Sequence, residues 1–94
     1  MTPEQEIYRA NRAKEVIENE IYIEAFDMIH KEIADQWTNS PARDREGRES
    51  LWLMQKLLTR LQTALQSTMD AGKLAVAELT HKQTLLERAK DLLS

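Results

Sequence analysis

Residues Leu51–Leu93 read LWLMQKLLTRLQTALQSTMDAGKLAVAELTHKQTLLERAKDLL, and the spacing within this stretch decides the fold. Leu51, Leu58, Leu65, Gly72, Leu79, Leu86 and Leu93 stand seven residues apart without a miss. Met54, Leu61, Thr68, Ala75, Lys82 and Ala89 fill the complementary position and are apolar or small except at Thr68 and Lys82. Apolar residues alternating three and four apart lie on one side of an α-helix, and so many repeats in phase form a heptad seam. Such a seam must be covered, by the rest of the chain or by a copy of it. A core role is expected for Leu58, Leu61 and Leu65.

Gly72 interrupts the stretch and admits two readings. As a cap after Met69-Asp70-Ala71 it would turn the chain back and give a four-helix arrangement. Against that, Gly72 keeps the heptad phase, no proline follows, and no polar cluster of the kind a turn uses surrounds it. One long helix over residues 45–93, with Gly72 admitting close approach of another helix, is the favoured reading. The alternative is two helices split at Gly72.

Upstream, Thr38-Asn39-Ser40-Pro41 stops a helix, because proline disfavours the helical conformation in the residue before it. Residues 39–46 are the one clear loop, and Asp44 can cap the helix that follows. Before the loop, Tyr22, Phe26, Ile29, Ile33 and Trp37 recur at helical spacing, with Ala25 and Met28 widening the stripe, so residues 20–38 are predicted to be the most apolar helix face. Asn19 can end one helix or cap the next, so residues 3–38 form two helices or one bent helix, and a break is the favoured reading. Thr2 as cap, Pro3 in the first turn and Gln5 completing a capping box start a first helix over residues 3–18. The expectation is an all-α protein, a helical hairpin or bundle, in which two N-terminal helices precede a long heptad-bearing helix within one domain, residues 1–94.

Composition agrees with that fold and narrows the function. The chain holds two glycines, two prolines and no cysteine, and charged residues make up 31% of it with a net charge of −3. A chain this short buries only about 60–65% of its unfolded surface, and without disulfides the remaining aid to stability is a partner or a second copy. No basic domain of the kind that binds nucleic acid is present. Residues 1–40 carry nine acids and four bases, net −5, whereas residues 41–94 carry seven acids and nine bases, net +2. This complementarity favours antiparallel packing of the second helix on the third, within a chain or between chains. Apolar runs such as Leu51–Met54 fall far short of the roughly 20 residues of a membrane span. The polar, acidic start Met1–Gln5 is unlike a signal peptide, so an intracellular protein is expected.

Catalytic and metal chemistry find little footing. Asp27 and Glu24 precede His30 at spacings of three, as in the carboxylate-x-x-His element of di-iron bundles, but that chemistry needs the element twice with further inward carboxylates. His81 with Glu78 does not supply it, and no structural metal is expected at His30 or His81. Ser40, Ser50, Ser67 and Thr68 lack a nucleophile elbow, and no glycine-rich phosphate loop occurs. No enzyme activity and no cofactor are expected. Arg43, Arg45 and Arg48 could form a phosphate-binding patch, but they interleave with Asp44, Glu46 and Glu49, which favours a solvated, salt-bridged helix start. Trp37 and Trp52 flank the loop and are expected near one another, as core first and as a partner-binding aromatic patch second.

The run Trp37–Trp52, preceded by Glu24-Ala25-Phe26 and followed by Leu57-Leu58 and Gly72-Lys73-Leu74-Ala75, resembles a family of small helical proteins encoded by tailed bacteriophages and prophages. In these, an acidic helix pair leads to a loop of the form W-x(6)-D-x-x-G-R-E-x-L-W and a leucine-rich helix. The resemblance spans roughly residues 10–79, with Asp44 to Glu49 its most distinctive part. It implies a gene from a phage structural or DNA-packaging neighbourhood and a site in the bacterial cytoplasm or the virion, and it implies no enzymatic activity. The expected function is a non-enzymatic assembly component that forms a homo-oligomer or joins a larger protein assembly, with Trp37, Trp52, Arg43, Arg45, Arg48, Gly72, Leu79, Leu86 and Leu93 as candidate interface residues. The alternative is a small DNA-packaging or regulatory protein that binds nucleic acid through the Arg43, Arg45 and Arg48 loop. No membrane partner is expected.

Overall fold

The computed structural model describes residues 1–93; Ser94, the last residue of the expected domain, lies outside the described residues. The chain is all-α, with α1 over Pro3–Glu18, α2 over Glu20–Asn39 and α3 over Arg45–Leu93. Each boundary has a local cause. At the start of α1 the Thr2 amide donates to Gln5 Oε1 at 2.9 Å while the Gln5 amide donates to Thr2 Oγ1 at 3.2 Å, a reciprocal capping box. Asn19 alone separates α1 from α2: its backbone is extended, and its side chain accepts from the Tyr22 amide at 3.0 Å, which caps α2. Ser40, held extended by the following Pro41, ends α2 one residue later than expected, at Asn39.

Asp44 then starts α3 by accepting from the Gly47 amide at 3.0 Å. This cap also explains the glycine, because a Cβ at position 47 would run into the Asp44 carboxylate. From Arg45, α3 continues unbroken through Gly72 for 49 residues, about 73 Å at 1.5 Å per residue. The helix pair split at Gly72 does not form, since Gly72 has no positive φ and α3 passes straight through it.

The chain divides into two compact units. In the first, Met1–Glu15 packs against α3 from Gln66 onward. Its core is built of small residues: Ala13 and Ala75 are buried, Ala75 at 1% exposure, and Ala10 and Ala71 are half-buried around Gly72. A Cβ at Gly72 would overlap the Ala10 Cβ and come within 3.4 Å of the Glu6 carbonyl oxygen. Gly72 thus lets α1 pack directly against the backbone of α3. Beyond it, every residue from Thr80 to Leu93 is exposed.

In the second unit, Val16–Leu65, α2 and the first part of α3 form an antiparallel hairpin. Trp37 lies beside Arg48 and His30 beside Gln55, and Ile29 and Leu61 line one groove further along. Ile33 and Leu51 are its buried residues, with Leu58 and Leu65 half-buried along the same seam. Two expectations need correction here. Leu61, expected in the core, is 46% exposed, because two helices cover only the centre of the seam and leave its flank open. Trp37 and Trp52 do lie close together, but both are substantially exposed rather than core.

Candidate interaction surface

The α2–α3 turn is held by side chains that could otherwise have been ligand-binding groups. The Arg48 guanidinium stacks on the Trp37 ring, 3.9 Å from its centroid, and donates to Ser40 Oγ at 2.8 Å and to the Ser40 carbonyl at 3.3 Å. Ser40 Oγ in turn donates to the Trp37 carbonyl at 2.7 Å. An exposed cation–π pair is worth about 0.5–1 kcal/mol, and a hydrogen bond from a charged donor somewhat more. Arg48 therefore latches the hairpin shut. Of the three arginines that could bind phosphate, it is committed to the fold, and Arg43 and Arg45 stay exposed at the turn.

On one side of the hairpin, Trp37 and Trp52 line a recess of about 370 Å³ with His30 and Gln55, whose side chains meet at 3.3 Å. Lys56 lies 5.3 Å from the Trp52 ring centroid. Phe26 stacks near His30 with centroids 6.5 Å apart. His30 is thus occupied by ring and amide contacts. Among the described residues no group of three His, Cys, Asp or Glu side chains is placed to hold a metal ion.

The opposite side of the hairpin is a different surface. Ile29, Met54, Leu57 and Leu61 line an open groove of about 750 Å³ above the seam residues Ile33 and Leu58. Residues three and four apart share a helix face, so the stripe does not stop at the groove. On α2, Ile21, Ala25, Met28, Glu32 and Gln36 follow one another at such spacings, and on α3 Leu53, Leu57, Leu61 and Ala64 do the same. Ile21, Met28 and Leu53 are all more than half exposed, and Leu57 reaches 68%. The groove itself is lined by one acid, Glu32, and one base, Arg60, and neither is paired among the described residues.

The predicted interface residues therefore do not gather in one place. Trp37, Arg48 and Trp52 meet at the turn end of the hairpin. Gly72 and the half-buried Leu79 belong to the other unit, where Gly72 is used within the chain. Leu86, at 64% exposure, and Leu93 remain uncovered on the last part of α3. Ile29 and Met28 belong to the apolar stripe read from the second helix but not to the expected interface, and Leu53 and Leu57 belong to neither. The signal existed for two of them, since Leu53 and Leu57 belong to neither heptad series and so could not be explained by the seam.

No helix among the described residues is long and apolar enough to cross a membrane. Compared with family models, curated proteins and solved structures, the chain matches none.

Proposed function

We propose that this chain is a non-enzymatic assembly component that works through contacts with other chains, either as a helical homo-oligomer or docked on a larger protein assembly. One observation carries the reading: Ile33 and Leu51 are the only buried side chains of the hairpin unit, and neither is fully enclosed, while Ile21, Met28, Met54, Leu57 and Leu61 stand exposed on one face. Contiguous apolar faces of this kind mark interaction surfaces. The phage resemblance of residues 37–52 supports a place in a virion or its assembly. Binding of nucleic acid through the turn is the weaker reading, because Arg48 is stacked on Trp37 and tied to Ser40.

Sedimentation across concentrations, together with co-purification from infected or lysogenic cells, tests the proposal. Oligomers below about 100 μM, well above the dissociation constants of stable assemblies, or retention on a phage-encoded assembly, is the expected result. A chain that is monomeric throughout and retained by no assembly overturns it. DNA retention at about 0.15 M salt that collapses with added salt would instead favour the nucleic-acid reading.

A further inference from the structure

We propose that the α2–α3 face of the hairpin unit, centred on Ile29, Leu57 and Leu61, docks on the same face of a second copy of this chain through a two-fold axis. The inference rests on the assembly reading above and deepens it by naming the surface and its occupant.

Width selects the occupant. A single helix seated in the groove would cover Ile29, Met54 and Leu61, but a helix is only about 10 Å across. It would leave Met28 on the outer flank of α2 and Leu53 on the outer flank of α3 in water. Apolar residues on both flanks call for a covering layer two helices wide, and the chain supplies such a layer in its own hairpin. Two hairpins face to face make a four-helix bundle, in which each apolar stripe is covered on both sides. Residues 21–36 extend about 24 Å along a pair of helices roughly 20 Å wide, close to 500 Å² in projection and more in accessible area. That is on the scale of the roughly 800 Å² per partner of a stable interface.

Charge points the same way. An isologous interface brings residue i against residue j and j against i. The groove at the centre of the face holds one acid and one base, Glu32 and Arg60, placed on different helices. A two-fold match can pair Glu32 of each copy with Arg60 of the other, which leaves neither groove charge without an opposite. A foreign surface would need its own matching acid and base, whereas a second copy brings them.

The test is sedimentation velocity on the full chain between about 1 and 100 μM, with circular dichroism to confirm helicity. The variants are Leu57→Lys, Met28→Lys, Glu32→Arg, Arg60→Glu and the double reversal. All lie at exposed positions, and the two lysine variants probe separate helices, so a folding defect in one does not remove the test. Self-association of the wild type is expected, weakened at least tenfold by either lysine variant with helicity retained. Each single charge reversal should weaken it severalfold, and the double reversal should recover most of the loss. A wild type that self-associates while both lysine variants associate equally well overturns this surface and leaves the assembly reading intact. A wild type monomeric at every concentration overturns the two-fold dimer, and the assembly reading falls with it only if no larger assembly retains the chain.

Discussion

Gly72 sits deep inside α3, where helix propensity alone would favour alanine by about 1 kcal/mol. Its contact with Ala10 reverses that expectation. The Ala10 Cβ is fixed to the backbone of α1, so an added methyl can be admitted only by moving α1 away from α3. Gly72→Ala should therefore lower stability by about 1–3 kcal/mol, as overpacking does, and the double variant Gly72→Ala/Ala10→Gly should recover most of it. Thermal or urea unfolding decides the sign: a gain of about 1 kcal/mol would mean that α1 does not press on this position. Tyr22 presents the opposite case. Its hydroxyl oxygen is buried without a hydrogen-bond partner among the described residues, and such a group costs roughly 1–3 kcal/mol. Tyr22→Phe keeps the ring that faces Phe26 and should leave stability unchanged or raised. A clear loss in the same assay would reveal a partner for the hydroxyl.

Along α3 the heptad leucines grade from covered to bare, and stability should follow that gradient. Leu51 is buried, Leu58, Leu65 and Leu79 are half-buried, and Leu86 and Leu93 are exposed. In dilute solution Leu51→Ala should cost about 2–5 kcal/mol, while Leu86→Ala should stay within about 0.5 kcal/mol. A core-sized loss at Leu86 would show the tail of α3 buried in an assembly. Arg48→Ala should cost about 1–2 kcal/mol through the lost stacking and hydrogen bonds, with no change in DNA retention. These elements were largely legible in the sequence. Thr2 with Gln5, Asn19, Pro41 and Asp44 are punctuation with local causes, and the seven-residue repeat fixes the length of α3 because nothing in it breaks helical phase. What the repeat could not show is how far along α3 the shorter helices reach. Leu58 and Leu61 look alike as heptad positions, and only the placement of α2 leaves one half-covered and the other on an open flank. The partner of Gly72 was hidden for the same reason, since Ala10 carries no mark that distinguishes it from any other alanine. The open face that Leu53 and Leu57 share with Met28 and Ile29 is not legible from the heptads, since Leu53 and Leu57 lie outside both series and the face forms only once α2 is placed beside α3.

At the scale of the whole molecule the question is where the missing burial comes from. Ala13, Ile33, Leu51 and Ala75 are the buried apolar side chains among the described residues, and a chain of this size folds with only a few kcal/mol to spare even when its core is complete. If a second copy covers the hairpin face, folding and association are one equilibrium, and stability depends on concentration by mass action. A hundredfold rise in concentration then adds about 2.7 kcal/mol per mole of dimer. Spread over a dimer of roughly 190 residues, that should raise the thermal midpoint by on the order of 5–10 °C. Circular dichroism melts at about 2 and 200 μM span the range. The expected shift should vanish in Leu57→Lys, whose side chain is exposed within the single chain and whose charge would be stripped of water inside the dimer face. A midpoint that stays constant over the same range in the wild type would mean that the two units hold themselves together with the contacts of one chain, and that the open face takes no part in folding.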